Sequence, residues 1–140
     1  MPDANLPLTS PAPGEAPLDR EQEIARLVDR FYAVARLDPV LGPVFEQHVA
    51  DWTRHLRTMN DFWSSAIYRT GRYSGRPLES HRKISDIRAE HFPRWLRLWK
   101  QTVDEVVESD ARHPLREFAA RMADTMSLRM GFGPVAEREE

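Results

Sequence analysis

The chain has 140 residues, 41% hydrophobic and 30% charged, which allows one domain around one core and is too short for two comfortable ones. Its 20 Lys and Arg against 22 Asp and Glu leave a formal net charge of −2, so no electrostatic grip on nucleic acid or anionic lipid is expected. The absence of cysteine excludes disulfides, thiolate metal sites, iron–sulfur clusters, cysteine nucleophiles and thioether attachment of a cofactor.

The start, Met-Pro-Asp-Ala-Asn, lacks a basic stretch followed by an apolar one, and no apolar run approaches membrane-spanning length. A cytoplasmic address is the expectation. Residues 1–17 carry Pro2, Pro7, Pro11, Pro13 and Pro17 and read as a disordered tail, residues 18–133 as the folded domain, and 134–140 as a polar C-terminal tail. The first helix is predicted from Asp19 to Leu37. Asp19 and Gln22 have capping-box spacing, and Ile24, Leu27, Val28, Phe31 and Ala35 recur at helical intervals. Pro39 pushes Asp38 out of the α region and should end it. Leu41-Gly-Pro-Val-Phe45 reads as a tight connector.

A second helix is predicted from Asp51 to Arg69, with Trp52, His55, Leu56, Met59, Phe62, Trp63, Ala66 and Ile67 on one stripe and Gly71 as its C-terminal glycine. After a Gly/Pro loop, a short helical piece from Leu78 to Ile84 carries His81. A third long helix starts near Phe92 with Pro93 in its first turn, and buries Phe92, Trp95, Leu96, Trp99, Val103, Val106 and Val107. The last starts at Pro114, turns Leu115, Phe118, Ala119, Met122, Met126 and Met130 inward, and stops at Gly131. No strand-like alternation is present. His48, His91 and His113 lie near helix starts and are expected in solvent.

Three positions stand out as chemistry. His55 lies within an apolar stripe, His81 just beyond a flexible loop, and Trp95 on a third element, with Phe31-Tyr32 upstream. Two histidines across an apolar slot, with a phenol and an indole nearby, suit a haem: one imidazole ligates iron while donors on the other side hold a diatomic ligand. His81 is the metal-ligand candidate. Tyr32, His55 and Trp95 are the ligand-side candidates, since a phenol or indole donor to a charged acceptor is worth about 1.5–3 kcal/mol. Phe45 is placed to lie along a porphyrin edge. Arg54, Tyr73, Arg76 and Arg88 are candidates to pair its propionates. Plainer readings stand beside each: a loop histidine at the surface for His81, a satisfied core histidine for His55, packing for Tyr32 and Trp95, and core methionines for Met126 and Met130.

Five segments in order carry a resemblance. They are Leu27-Val-Asp-Arg-Phe-Tyr32; Leu37-Asp-Pro-Val-Leu-Gly-Pro-Val-Phe45; Trp52-Thr-Arg-His55 with Asn60-Asp-Phe-Trp63; Gly71 through His81; and His91-Phe-Pro-Arg-Trp95-Leu. Over about three quarters of its length the chain resembles the truncated haemoglobins, specifically their third group, and lacks the glycine pairs typical of the other two. The resemblance implies an all-α fold, the truncated globin, in which a 2-over-2 helical sandwich holds haem b. It puts the proximal histidine at His81 and the distal tyrosine, histidine and tryptophan at Tyr32, His55 and Trp95. It implies a haem pocket drawn from Phe31, Phe45, Met59, Phe62, Trp63, Tyr73, Arg76, Phe92 and Met126. The Pro-rich start departs from the family pattern without touching a pocket residue.

The function this implies is reversible binding of O2, CO, NO or cyanide. Several polar donors around one ligand favour redox chemistry on O2, NO or peroxide, of a peroxidase-like or NO dioxygenase-like kind, or ligand scavenging, over bulk transport. A separate reductase would keep the iron ferrous, and the chain would be a monomer or weak dimer. Two readings from other classes remain. A helical bundle holding a non-haem metal usually needs Glu-x-x-His pairs, of which the sequence has none. A cofactor-free helical interaction domain would use the aromatic stripes as ordinary core.

Overall fold

The computed structural model describes residues 19–135, which form six helices. The expected tail at 1–17 lies outside them, as do residues 136–140 of the expected C-terminal tail. The helices are α1 (Arg20–Ala35), α2 (Gly42–His48), α3 (Trp52–Tyr68), α4 (Pro77–Arg82), α5 (His91–Val106) and α6 (Arg112–Arg129), with no strand among the described residues. Helix α1 packs on α3 and α5 on α6, and the two pairs meet where α1 crosses α5 and α3 crosses α6. This is a two-over-two sandwich, and the short α2 and α4 close its open sides.

Local chemistry sets the boundaries. Asp19 accepts the Gln22 N–H at 2.8 Å while Gln22 accepts the Asp19 N–H at 3.0 Å, the reciprocal capping box expected for α1. The helix ends at Ala35, two residues before the expected Leu37, which stands 85% exposed. Asp38 is then freed to turn inward. Its carboxylate accepts the N–H groups of Val40 and Leu41 at 3.0 and 2.9 Å and the Arg94 Nε–H at 2.9 Å. One buried side chain thus ties the α1–α2 corner to α5.

The expected connector at Leu41–Phe45 is instead the first part of helix α2. Pro43 favours the helical φ where a missing N–H costs nothing, and Gly42 lets the corner close. A Cβ there would stand 2.5 Å from the Arg36 carbonyl oxygen. Helix α3 starts on the Asp51 cap, whose carboxylate accepts the Arg54 N–H at 3.1 Å. Its last residue in the left-handed region is not the expected Gly71 but Arg69, at φ 57°. Gly71 follows in the loop with its own positive φ.

The core lies where the sandwich layers cross. Trp63 and Trp99 stack at 4.3 Å, and Trp99 is fixed by its indole N–H to the Leu115 carbonyl at 3.2 Å. Leu27, Val28, Phe31, Val103 and Leu115 close around this stack. Burying each large apolar side chain contributes roughly 1.5–3 kcal/mol. Glu23 is also inside: its carboxylate accepts the Glu108 N–H at 3.1 Å and the Ser109 hydroxyl at 2.6 Å, fastening α1 to the α5–α6 corner. The stripe on α3 differs from those on α1 and α5. Apart from Trp63 its apolar residues are only half-buried; Met59 and Phe62 among them border a cavity, while the helix also packs on α1 and α6.

Candidate functional site

A cavity of about 380 Å³ opens between α1, α2 and α3 on one side and α4, the 83–90 loop, α5 and α6 on the other. This falls in the range of cofactor pockets, roughly 300–1,000 Å³. Its lining includes Phe31, Tyr32, Phe45, His55, Met59, Phe62 and Trp63. It also includes Tyr73, which meets Phe62 at 5.2 Å, Trp95, which meets Phe31 at 6.0 Å, and His81, Phe92 and Met126. The fold therefore brings together twelve of the thirteen residues singled out from sequence. The thirteenth, Arg76, is exposed, pairs with Glu79 at 3.3 Å, and does not line the cavity. Neither do Arg54 and Arg88, both exposed.

His81 sits on the single turn of α4 that Pro77 starts. Its Nδ1 lies 2.6 Å from the Pro77 carbonyl oxygen. A carbonyl only accepts, so Nδ1 carries the proton and Nε2 carries the lone pair. This is the tautomer and the backbone anchor that a metal-ligating histidine needs. The same i−4 carbonyl fixes the ring's orientation.

Across the cavity, the Tyr32 hydroxyl and His55 Nε2 lie 3.2 Å apart. The Tyr32 ring is held edge-on by Phe31, Phe45, Trp52 and His55, with centroids 5.0 to 5.6 Å away. Burial pushes its phenol well above the usual range, so it stays protonated and acts as a donor. Burial, and then the charge His81 would carry, push His55 below its ordinary value. His55 is thus neutral at pH 7, able to accept from Tyr32 at Nε2 or, in its other tautomer, to donate there.

Trp95 and Trp99 are parallel, 5.9 Å apart, but differ in what their N–H groups do. Trp99 donates to Leu115, whereas Trp95 makes no hydrogen bond among the described residues and lines the cavity. Trp52, expected as core, is half-buried. It closes the distal cluster at the surface, covered by the Arg36 guanidinium at 4.1 Å.

Several lining residues escaped sequence reasoning. His48 is exposed, as expected, but it also borders the cavity and meets Asp86 at 2.7 Å, a position that the unpredicted helix α2 gives it. His91 is buried and lines the cavity, whereas a solvated residue was expected; His113 is exposed, as expected. The signal for His91 was present, since 91, 95 and 99 share one helical face. Thr58, Ile84, Ile87 and Met122 complete the lining. Among the described residues no three His, Asp or Glu side chains gather into a set that could hold a metal ion by themselves.

No family model matches the chain. It is 27% identical over 107 residues to a group 3 truncated hemoglobin of Campylobacter jejuni, a match covering 74% of this chain and 84% of that protein. The crystal structure of a group III truncated hemoglobin from Campylobacter jejuni superposes with a TM-score of 0.74 at 26% identity, covering 81% of this chain and 92% of the other. The expected resemblance and the expected fold class both hold: the chain is all-helical and has the truncated-globin fold.

Proposed function

We propose, starting from a globin similar to the group III truncated haemoglobins in sequence and fold, that this chain binds haem b in the cavity through His81 and holds a small ligand against Tyr32, His55 and Trp95. The observation that carries the reading is the His81 tautomer, with Nδ1 committed to Pro77 and the Nε2 lone pair left for a metal. The donor set fits the group: one fixed imidazole, apolar walls from Phe45, Met59, Phe62 and Met126, and polar donors gathered on the opposite side. When bound, haem would supply an iron with one axial imidazole and one open position for O2, CO, NO, cyanide or peroxide.

The rest is the work of the chain's own side chains. Tyr32 keeps its proton and aims it into the pocket or onto His55 Nε2, depending on whether a ligand is there to accept it. A neutral His55 takes either role without changing charge. Trp95 offers an indole N–H that no group among the described residues uses. Donors arranged in advance stabilise developing negative charge on a bound diatomic more than they stabilise a neutral one. This favours retention and redox conversion of O2, NO or peroxide over rapid release, with a separate reductase supplying electrons. On this reading residues 18–133 are the globin domain. No described helix is long and apolar enough to cross a membrane.

The test is the O2 dissociation rate of the ferrous holoprotein. Removing a donor to a charged acceptor costs about 1.5–3 kcal/mol, so Tyr32→Phe and Trp95→Phe should each release O2 about tenfold faster or more. A rate that is already fast and unchanged in both variants contradicts the reading.

A further inference from the structure

We propose that His91 anchors the bound cofactor by donating its Nε2–H to a haem propionate; this rests on the haem reading above. His91 opens α5, is only 8% exposed, and lines the cavity. Its Nδ1 accepts the backbone N–H of Arg88 at 2.8 Å. That bond fixes the tautomer in the opposite sense to His81: the ring proton lies on Nε2, so His91 presents a donor where His81 presents a lone pair. Burial keeps the ring below its ordinary titration range, so it is a neutral donor at pH 7.

The Nε2–H has no acceptor among the described residues. Of the two acidic groups that act on its titration, Glu90 and then Asp86, neither accepts a hydrogen bond from it, and Asp86 is hydrogen-bonded to His48 at 2.7 Å. The Nε2 atom is not sealed in the core, since among the described residues Asn60 Oδ1 is the buried side-chain atom left without a partner; an open N–H on a residue that lines the cavity can donate to an acceptor that a ligand brings there. The anionic acceptors that haem brings are its two propionates. The arginines that suit them by charge lie elsewhere: Arg76 pairs with Glu79 outside, and Arg54 and Arg88 do not reach the cavity. Of the residues that do, His91 lies on the segment that follows the His81 helix.

The experiment measures haem transfer to excess apomyoglobin from wild type, His91→Phe and His91→Gln, each loaded in parallel with haem b and with its dimethyl ester, in which both propionates are capped. Spectra before transfer establish whether haem is held through His81, by comparison with His81→Ala. The expected result is haem b lost about tenfold faster or more from His91→Phe, a smaller acceleration in His91→Gln, which keeps an N–H donor, and ester loss that is the same for all three proteins. Equal acceleration for both haems would assign His91 a packing role and overturn the proposal, as would no acceleration for either. If His91→Phe does not fold, His91→Gln and the ester comparison in wild type decide alone: an ester lost no faster than haem b overturns it. Spectra indifferent to His81 sink the haem reading first, and the proposal with it.

Discussion

His55, half-buried, and His91, buried, are both neutral imidazoles at pH 7, and this makes acid a specific threat to the fold. Each titrates below its ordinary value in the folded chain, with burial the leading cause. Between the folded value and roughly 6.5, the unfolded chain takes up protons that the folded chain refuses. Stability is therefore undiminished by these rings above about pH 6.5 and falls as pH drops through that window. Urea unfolding at pH 7.5 and 5.5 should show a smaller acid loss in His55→Phe than in wild type; an equal loss would contradict a half-buried neutral His55. Arg76 gives the opposite prediction. Its guanidinium lies outside the pocket on Glu79, so Arg76→Ala should leave the rate of haem loss unchanged in the apomyoglobin assay.

Elements here are joined at corners by single buried carboxylates. Asp38 is the clearest. Burial pushes its carboxyl up, yet the Arg94 hydrogen bond and the N–H groups of Leu41 and Val40 together bring it below the usual carboxylate range. A depressed carboxyl gives stability that is present above the unfolded value near 4 and is lost as pH falls through the folded one. Asp38→Ala should cost about 1–2 kcal/mol at pH 7 from the Val40 and Leu41 N–H groups left without their acceptor alone. It should also flatten the acid limb of the stability curve. At the end of α3, Arg69 holds a left-handed φ of 57° that an L side chain resists by roughly 1–2 kcal/mol. Arg69→Gly should raise the urea midpoint by about 1 kcal/mol equivalent, and a lower midpoint would show that the Arg69 side chain itself contributes to the corner.

At the scale of the molecule, the long helices were legible because their apolar periods are long and their caps are chemical: Asp19 with Gln22, Asp51, Pro93, Pro114. What periodicity could not give was α2, seven residues behind a Gly-Pro that reads equally well as a turn. With α2 went His48. His91 was missed for another reason. Polarity at a helix start suggested solvent and outweighed the helical spacing that puts 91, 95 and 99 on one face, the face that α5 buries against α1 and α6. Arg76 was placed by charge alone, which says what a residue can pair with but not where the loop will point it. On α3 the stripe was legible, and the structure divides it: Met59, Phe62 and Trp63 line the cavity, while Leu56, Ala66 and Ile67 pack against the core away from it.

That space makes one measurement decisive. Wild type, His81→Gly, and His81→Gly with added imidazole should be loaded with haem b and their ferrous and ferrous–CO spectra recorded. The account predicts one haem per chain with bands of axial histidine ligation in wild type, altered or lost in His81→Gly, and restored when imidazole fills the gap beside Pro77. Haem held loosely, with spectra the same in all three samples, would contradict His81 as the ligand and the globin chemistry proposed from it.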